Sequence, residues 1–264
     1  MRKKILTIVA LLVSLGAMAQ TGGFCGLKND AFQAGEKLTY KVYYNVSFMY
    51  VGAGEVTFKT SLEHLNGTPV YHVVGEGRTY TSYDWIFKVR DRYETYVDTA
   101  TMLPLRFIRD VNEGDYHKYN TVTFDHPGHT ATSRKGSYKV PDCVQDVMSA
   151  IYYARNIDFN KYKKGDKIYF SMFLDDEVYH IYIRYLGKEV VTTRYGKFHA
   201  IKFSPLLIKG TIFEGGEDMR VWVSDDGNKV PLRVSSPITV GSVKVDLIGY
   251  QGLRHPFTSL ISKK

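Results

Sequence analysis

The chain has 264 residues, 44% of them hydrophobic, and its 35 Lys and Arg against 27 Asp and Glu give a formal net charge of +8. This composition excludes a disordered or disulfide-dense chain, and the length suits one large core or two half-sized sheets sharing a core. Beyond Arg2-Lys3-Lys4 no basic run exceeds two residues, as at Lys163-Lys164, so the mild positive charge indicates no polyanion-binding surface and no nucleic-acid partner.

The first residues are basic, Ile5 to Leu15 is an apolar run broken by Thr7 and Ser14, and Ala17-Met18-Ala19 places small residues before Gln20. This pattern predicts a secretory signal peptide over residues 1–19. The apolar run falls short of the roughly 20 residues that cross a bilayer, so no transmembrane segment is expected in the mature chain. Loss of Arg2, Lys3 and Lys4 leaves a net charge of about +5. Cys25 follows the bulky Phe24 well past the apolar run, which is unlike a lipoprotein acylation site. With Cys143, the other of two cysteines, it is expected to form a disulfide in an oxidising compartment.

Strand signals open at Leu38 to Tyr44 and continue at Gly54 to Thr60, Val70 to Val74, Tyr93 to Val97, Leu105 to Val111 and Tyr119 to Phe124, with turns marked by Asn66-Gly67 and Pro127-Gly128. Asp142 to Arg155 departs from this pattern. Val144, Val147, Met148, Ile151 and Tyr152 recur at helical spacing, and Asp142 with Gln145 three residues on predicts a capped helix over 142–155. Strands resume at Lys167 to Leu174, Glu177 to Leu186, Glu189 to Tyr195, Phe198 to Ser204, Met219 to Val223, Leu232 to Ser235 and Gly241 to Tyr250.

Two stretches about 127 residues apart carry the same message. Tyr96-Val97-Asp98 leads through a turn to Pro104-Leu105-Arg106, and Trp222-Val223-Ser224 leads to Pro231-Leu232-Arg233. Gly35-Glu36-Lys37 and Gly165-Asp166-Lys167 open matching strands, and Tyr71-His72 with Phe198-His199 suggests a third correspondence. The spacing predicts two repeats, at about 35–135 and 165–255, joined by the helix in one domain over residues 20–264. A helix between two meanders can cover a curved sheet and fuse the halves around one core.

No motif announces a chemistry. Gly-x-Ser-x-Gly, Ser-x-x-Lys, P-loop and His-Glu-x-x-His patterns are absent from the sequence. Asp125-His126-Pro127-Gly128-His129 reads as a turn before it reads as a metal site, and no cofactor is expected. Glu76, Asp84, Asp91, Glu214 and Glu217 lie near aromatic residues and are the candidates for a carboxylate pair acting on glycans. Asp84-Trp85 and Trp222 hold the only tryptophans, the natural aromatic floor of a groove. Asp146 and Arg155 are placed to tie the helix to the sheets by charge-assisted hydrogen bonds.

Phe32 to Tyr40, Asp146 to Arg155 and Gly215 to Trp222 together resemble a family of exported β-rich proteins of unknown function from Gram-negative bacteria. The likeness covers nearly the whole mature chain, and it implies export without implying an activity. Tyr96 to Arg106 is also distantly similar to the strand-turn-strand of periplasmic lipoprotein carriers. Those proteins wrap an incomplete barrel around helices and hold acyl chains, a likeness that implies an open barrel.

The expected protein is therefore mostly β: two related antiparallel sheets forming an open or incomplete barrel with one central helix. It is read as a cell-envelope binding or structural protein, periplasmic or outer-membrane-associated, with a lipid, lipoprotein or glycan as its ligand. Val147, Met148, Ile151 and Tyr152 would form one wall of an apolar hollow, with Trp85 and Trp222 as further contacts. A carboxylate-dependent glycan enzyme is the alternative.

Overall fold

A computed structural model describes residues 25–46, 49–208, 215–238 and 241–264. The expected signal peptide and Glu214 lie outside the described residues. Among them the chain forms β1 (Lys37–Val46), β2 (Met49–Leu65), β3 (Thr68–Thr79), β4 (Arg90–Asp98), β5 (Pro104–Glu113), β6 (Tyr116–Asp125), β7 (Thr130–Thr132) and β8 (Ser137–Lys139) before a helix, α1 (Val147–Ala154). There follow β9 (Lys167–Leu174), β10 (Glu177–Thr192), β11 (Gly196–Pro205), β12 (Arg220–Ser224), β13 (Pro231–Pro237), β14 (Ser242–Gln251) and β15 (Leu260–Lys263).

The strands make one antiparallel sheet. It runs from β8 in descending order to β1, crosses from β1 to β14, and descends again to β9, with β15 added beside β11. The two expected sheets are thus joined edge to edge. The sheet curls around a core to which Val73, Val97, Phe107 and Phe124 contribute from the first half, and Ile168, Phe173, Ile201 and Phe203 from the second. Inward apolar and outward polar positions alternate along β4 and β11, the period that a one-sided sheet requires.

The two hairpins that end in Pro-Leu-Arg share their backbone detail. Tyr96 pairs with Arg106 and Val97 with Pro104, while Trp222 pairs with Arg233 and Val223 with Pro231, each with a bulge at the same place. Two residues before the proline, Met102 and Lys229 have φ of 62° and 43°. The amides of Asp98 and Ser224 donate to the carbonyls of Leu103 and Val230 at 2.9 and 2.8 Å. The openers agree too: Gly35 donates to Thr60 and Thr60 to Glu36, as Gly165 does to Tyr185 and Tyr185 to Asp166. The third correspondence is out of register. Tyr71 pairs with Val97 whereas Ile201 pairs with Val223, so Ile201, and not Phe198, stands in the place of Tyr71.

Two boundaries differ from the expectation. Glu177 to Leu186 and Glu189 to Tyr195, predicted as separate strands, are mostly one, because Gly187 at φ 100° forms a bulge inside β10 where a break was expected. The helix starts at Val147, not near Asp142. Cys143 has φ 56° and Gln145 bridges to Met172 on β9, and neither conformation belongs to a helix. Asp146 is the N-cap. Its Oδ1 accepts from the amides of Met148 and Ser149 at 2.7 and 2.8 Å, and Ser149 Oγ accepts the Asp146 amide at 2.9 Å. Cys25 and Cys143 are bonded, with Cα atoms 5.4 Å apart.

The sheet is a barrel with one joined seam and one open seam. β1 and β14 pair from Lys37–Gln251 to Asn45–Ser242. Repetition of that contact by the other ends of the two units would pair β6 with β9, yet among the described strands β9 pairs only with β10. Gln145 meets its free edge, donating to the Ser171 carbonyl at 2.9 Å and accepting the Phe173 amide at 2.8 Å. Side chains bridge the rest: Arg109 and Lys118 both reach Asp175, and Lys135 lies 3.0 Å from Asp176.

Candidate functional site

α1 crosses the interior from the open seam toward the joined one. At its start Thr95 on β4 donates to Asp146 Oδ2 at 2.6 Å, and burial still pushes this carboxyl up to about 6. Met148 packs over Gly75, where an added Cβ would lie 3.0 Å from the Met148 methyl. Tyr152 meets Phe32 edge to face at 4.8 Å and receives a hydrogen bond from Thr60 at 3.3 Å. At the far end the buried Arg155 guanidinium grips Glu36 through two hydrogen bonds of 2.6 and 2.7 Å and donates to the carbonyls of Asn228 and Ala31. Its plane also lies over the rings of Phe32 and Tyr152, 5.4 and 5.2 Å from their centroids. Asp146 and Arg155 do anchor the helix, each through its own partner on the sheet. Burial raises the pKa of Tyr152 and of the neighbouring Tyr40.

The four residues expected on the ligand wall differ in burial. Met148 and Tyr152 are 4% and 2% exposed within the core, Val147 is half-buried, and Ile151 is turned outward at 38%. Met148 and Tyr152 pack among the core side chains.

The two tryptophans are held on separate parts of the sheet. Trp222, half-buried on β12, donates its indole N–H to Glu189 at 2.6 Å under the Lys202 ammonium, 5.0 Å from the ring. Trp85 sits on the β3–β4 connection, where a single 3-10 turn spans Thr81–Tyr83. That connection is locked at its base: Asp84 pairs with Arg90 at 2.6 Å and accepts from Thr79 Oγ1 at 2.6 Å, while Thr79 Oγ1 accepts the Val89 amide at 3.1 Å. Arg90 holds the Asp84 carboxyl below the ordinary range. Gly114, at the turn of the β5–β6 hairpin, donates to the Lys88 carbonyl at 2.8 Å, and the Phe87 ring leans on it. Above this base the tip is bare, with Trp85 83%, Ile86 62% and Phe87 54% exposed. The indole N–H of Trp85 is already bonded to the Ser82 carbonyl at 3.0 Å.

Below this tip, the outward side of β2, β3 and β4 carries an open groove of about 500 Å³ whose lining includes Lys59, Glu76, Arg78, Arg90 and Arg92. Glu76 bridges Lys59 at 3.5 Å and Arg92 at 2.6 Å. Arg92 continues to Glu94 at 2.7 Å, and His72 spans Glu94 and Glu63 at 2.7 and 2.8 Å while stacking on Tyr96. Asp91 lies on the opposite, inward face of β4, beside Gly77. It accepts the Asn112 amide at 2.9 Å, and burial, with Glu113 alongside, raises its carboxyl to about 6. Glu217 takes the opposite direction, since hydrogen bonds from Arg184 and Tyr182 hold it down at about 2. Of the candidate carboxylates described, then, Asp84, Glu76 and Glu217 serve ion pairs, and Asp91 alone has its carboxyl raised, to about 6.

Among the described residues no three His, Cys, Asp or Glu converge as a metal set. His126 faces the Pro104 carbonyl at 2.7 Å while His129 lies 3.1 Å from Asp142, as a turn and not a ligand pair would place them. Sequence reasoning missed Glu36 as the partner of Arg155, which stands 119 positions away. It also missed that Trp85, Ile86 and Phe87 form one exposed tip. Three consecutive large apolar residues between Asp84 and Lys88 were the available signal.

Residues 39–248 match the family described as Protein of unknown function (DUF3108). No curated protein matches the sequence. Among solved structures, a β-barrel-like protein of the DUF1849 domain from Brucella abortus superposes with a TM-score of 0.57 at 9% identity, covering 86% of this chain and 99% of that one. It shares the fold. A Bacteroides fragilis protein described as exported, with a YmcC-like fold, aligns at a TM-score of 0.40 and 12% identity over 86% of this chain and 100% of its own. A protein described as a lipoprotein from Parabacteroides distasonis aligns at 0.40 and 14% over 85% and 100%.

Proposed function

We propose that this chain, which belongs to the DUF3108 family, is an exported, non-enzymatic binding protein of the cell envelope that engages a lipid, lipoprotein or glycan partner through its outer surface and rim. The observation that carries the reading is the burial of the helix: Met148 and Tyr152 pack into the core, and Arg155 with Glu36 fastens the helix there. A cavity protein needs concave unoccupied volume for its ligand, whereas the exposed side chains of this chain stand at the rim. The signal-peptide pattern at residues 1–19 and the Cys25–Cys143 bridge support export. No helix among the described residues is long and apolar enough to cross a membrane. Native mass spectrometry of protein recovered from the envelope tests the reading. The bare polypeptide mass is expected after a detergent wash that strips surface lipid, and a lipid that stays with the protein through that wash, as one enclosed in the interior would, would overturn it.

One observation favours the enzyme alternative, the carboxyl of Asp91 raised to about 6 on the inward face of β4 beside Glu113. A glycosidase needs a second carboxylate roughly 5 to 9.5 Å away, and Glu113 is its nearest candidate. Hydrolysis of envelope glycan that is abolished in both Asp91→Asn and Glu113→Gln would establish that reading in place of the first.

A further inference from the structure

We propose that the Trp85-Ile86-Phe87 tip is a membrane-surface anchor that inserts into the headgroup layer of a phospholipid bilayer. This rests on the reading of a protein that works through its surface, and it names the partner. The tip is convex, made of consecutive large apolar side chains, and more than half exposed at every position. Leaving such side chains in water has a cost proportional to their apolar area, and a bilayer relieves it without needing a matching pocket.

Four features favour lipid. The polar atom of the indole is satisfied internally by Ser82, so immersing Trp85 strands no donor. The loop is held at its base by Asp84, Arg90, Thr79 and Gly114, so insertion costs little ordering of its backbone. Tyr116, 54% exposed on the adjacent hairpin, adds a ring that bears a hydroxyl, the kind of side chain enriched at the membrane–water boundary. Lys88, exposed at the foot of the tip, can reach a lipid phosphate while Asp84 is already neutralised by Arg90.

The same end of the barrel carries the half-buried Leu206, Leu207 and Ile208 after β11 and Ile238 after β13, which extend the apolar rim. The outward face of the strands behind the tip is charged through Lys59, Glu76, Arg92 and Glu94. That face belongs in water, so penetration is limited to the tip, on the order of 5–10 Å. Glu113 and Asp115 on the neighbouring hairpin offset Lys88 and Lys118, and insertion is accordingly driven by apolar burial with little dependence on anionic lipid.

Because Trp85 and Trp222 are the only tryptophans, Trp222→Phe makes Trp85 a sole reporter. Protein recovered from the envelope, its N-terminus fixed by intact mass, is mixed with vesicles of phosphatidylcholine alone or with phosphatidylglycerol in a three-to-one mixture. In the Trp222→Phe protein, emission should move to the blue and be quenched by brominated phosphatidylcholine with both vesicles. Trp85→Phe should leave the Trp222 signal unmoved. Ile86→Asp, a substitution at an exposed position, should lower the partition coefficient at least about tenfold while circular dichroism stays unchanged. No response to either vesicle overturns the anchor, as does binding that requires phosphatidylglycerol and survives Ile86→Asp. Failure here leaves an envelope protein that binds through its surface intact as a reading, whereas lipid retained through the detergent wash in native mass spectrometry defeats that reading whether or not the tip inserts.

Discussion

The joined seam and the open seam are borders between the same two halves, made by different physics. At β1–β14 the backbone itself closes the sheet, and each pair fixes its neighbours in register. At the border of β6 and β9 the work is done by one bridging residue, Gln145, and by ionic contacts to Asp175 and Asp176 on a turn. Backbone ladders lie within the sheet and are shielded from solvent. Ion pairs at a partly exposed turn are screened and contribute about 0–1 kcal/mol. The comparison teaches that α1 is what holds the weaker border: it starts at β9 and ends in the Arg155–Glu36 clasp at the foot of the stronger one.

The largest test breaks that clasp. Glu36→Gln or Arg155→Met leaves a charge buried without its partner and should lower stability by about 3–5 kcal/mol in urea unfolding. Removing the Cys25–Cys143 bridge, which closes a loop of 118 residues on the open side, should lower it by about 2–5 kcal/mol in the same assay. Tyr40→Phe should act in reverse. The Tyr40 hydroxyl is buried with no partner among the described residues, and its removal should raise stability by up to about 1 kcal/mol.

Asp175→Asn bears on the open seam alone. It should change global stability by less than about 1 kcal/mol, yet hydrogen exchange should quicken in β9 while β1 and β14 keep their protection. If both borders respond alike, the distinction between them fails. The smallest effect is acidic. The Glu217 carboxyl is held at about 2 in the folded state, against 4.5 when free. Between those values the unfolded chain binds more protons, so this contribution is present above about pH 4.5 and fades as pH falls toward 2. Glu217→Gln should flatten that part of the urea midpoint profile.

The hairpins were legible because Pro-Leu-Arg after an acidic turn encodes a local geometry, and both copies adopt it with the same bulge. The start of the helix was less so. Asp142 with Gln145 and Asp146 with Ser149 both fit a capping pattern, and the choice was made by distant constraints, the disulfide at Cys143 and the pairing of Gln145 with β9. Gly187 looked like a strand end because glycine serves a bulge and a break equally well. Trp85 could be flagged as an aromatic contact, but its exposure depends on what the β5–β6 hairpin leaves uncovered. The clasp of Arg155 by Glu36 joins residues too far apart for any local pattern to connect.

The crossing from β1 to β14 has a consequence for how the molecule is made. The strand that opens the chain finds its second neighbour in the one near its end, a separation of about 200 positions. A polypeptide delivered across a membrane amino-terminus first must keep the far edge of β1 bare until nearly all of it has arrived. For that interval the nascent protein presents an adhesive border, and its yield should depend on whatever holdase meets the emerging chain.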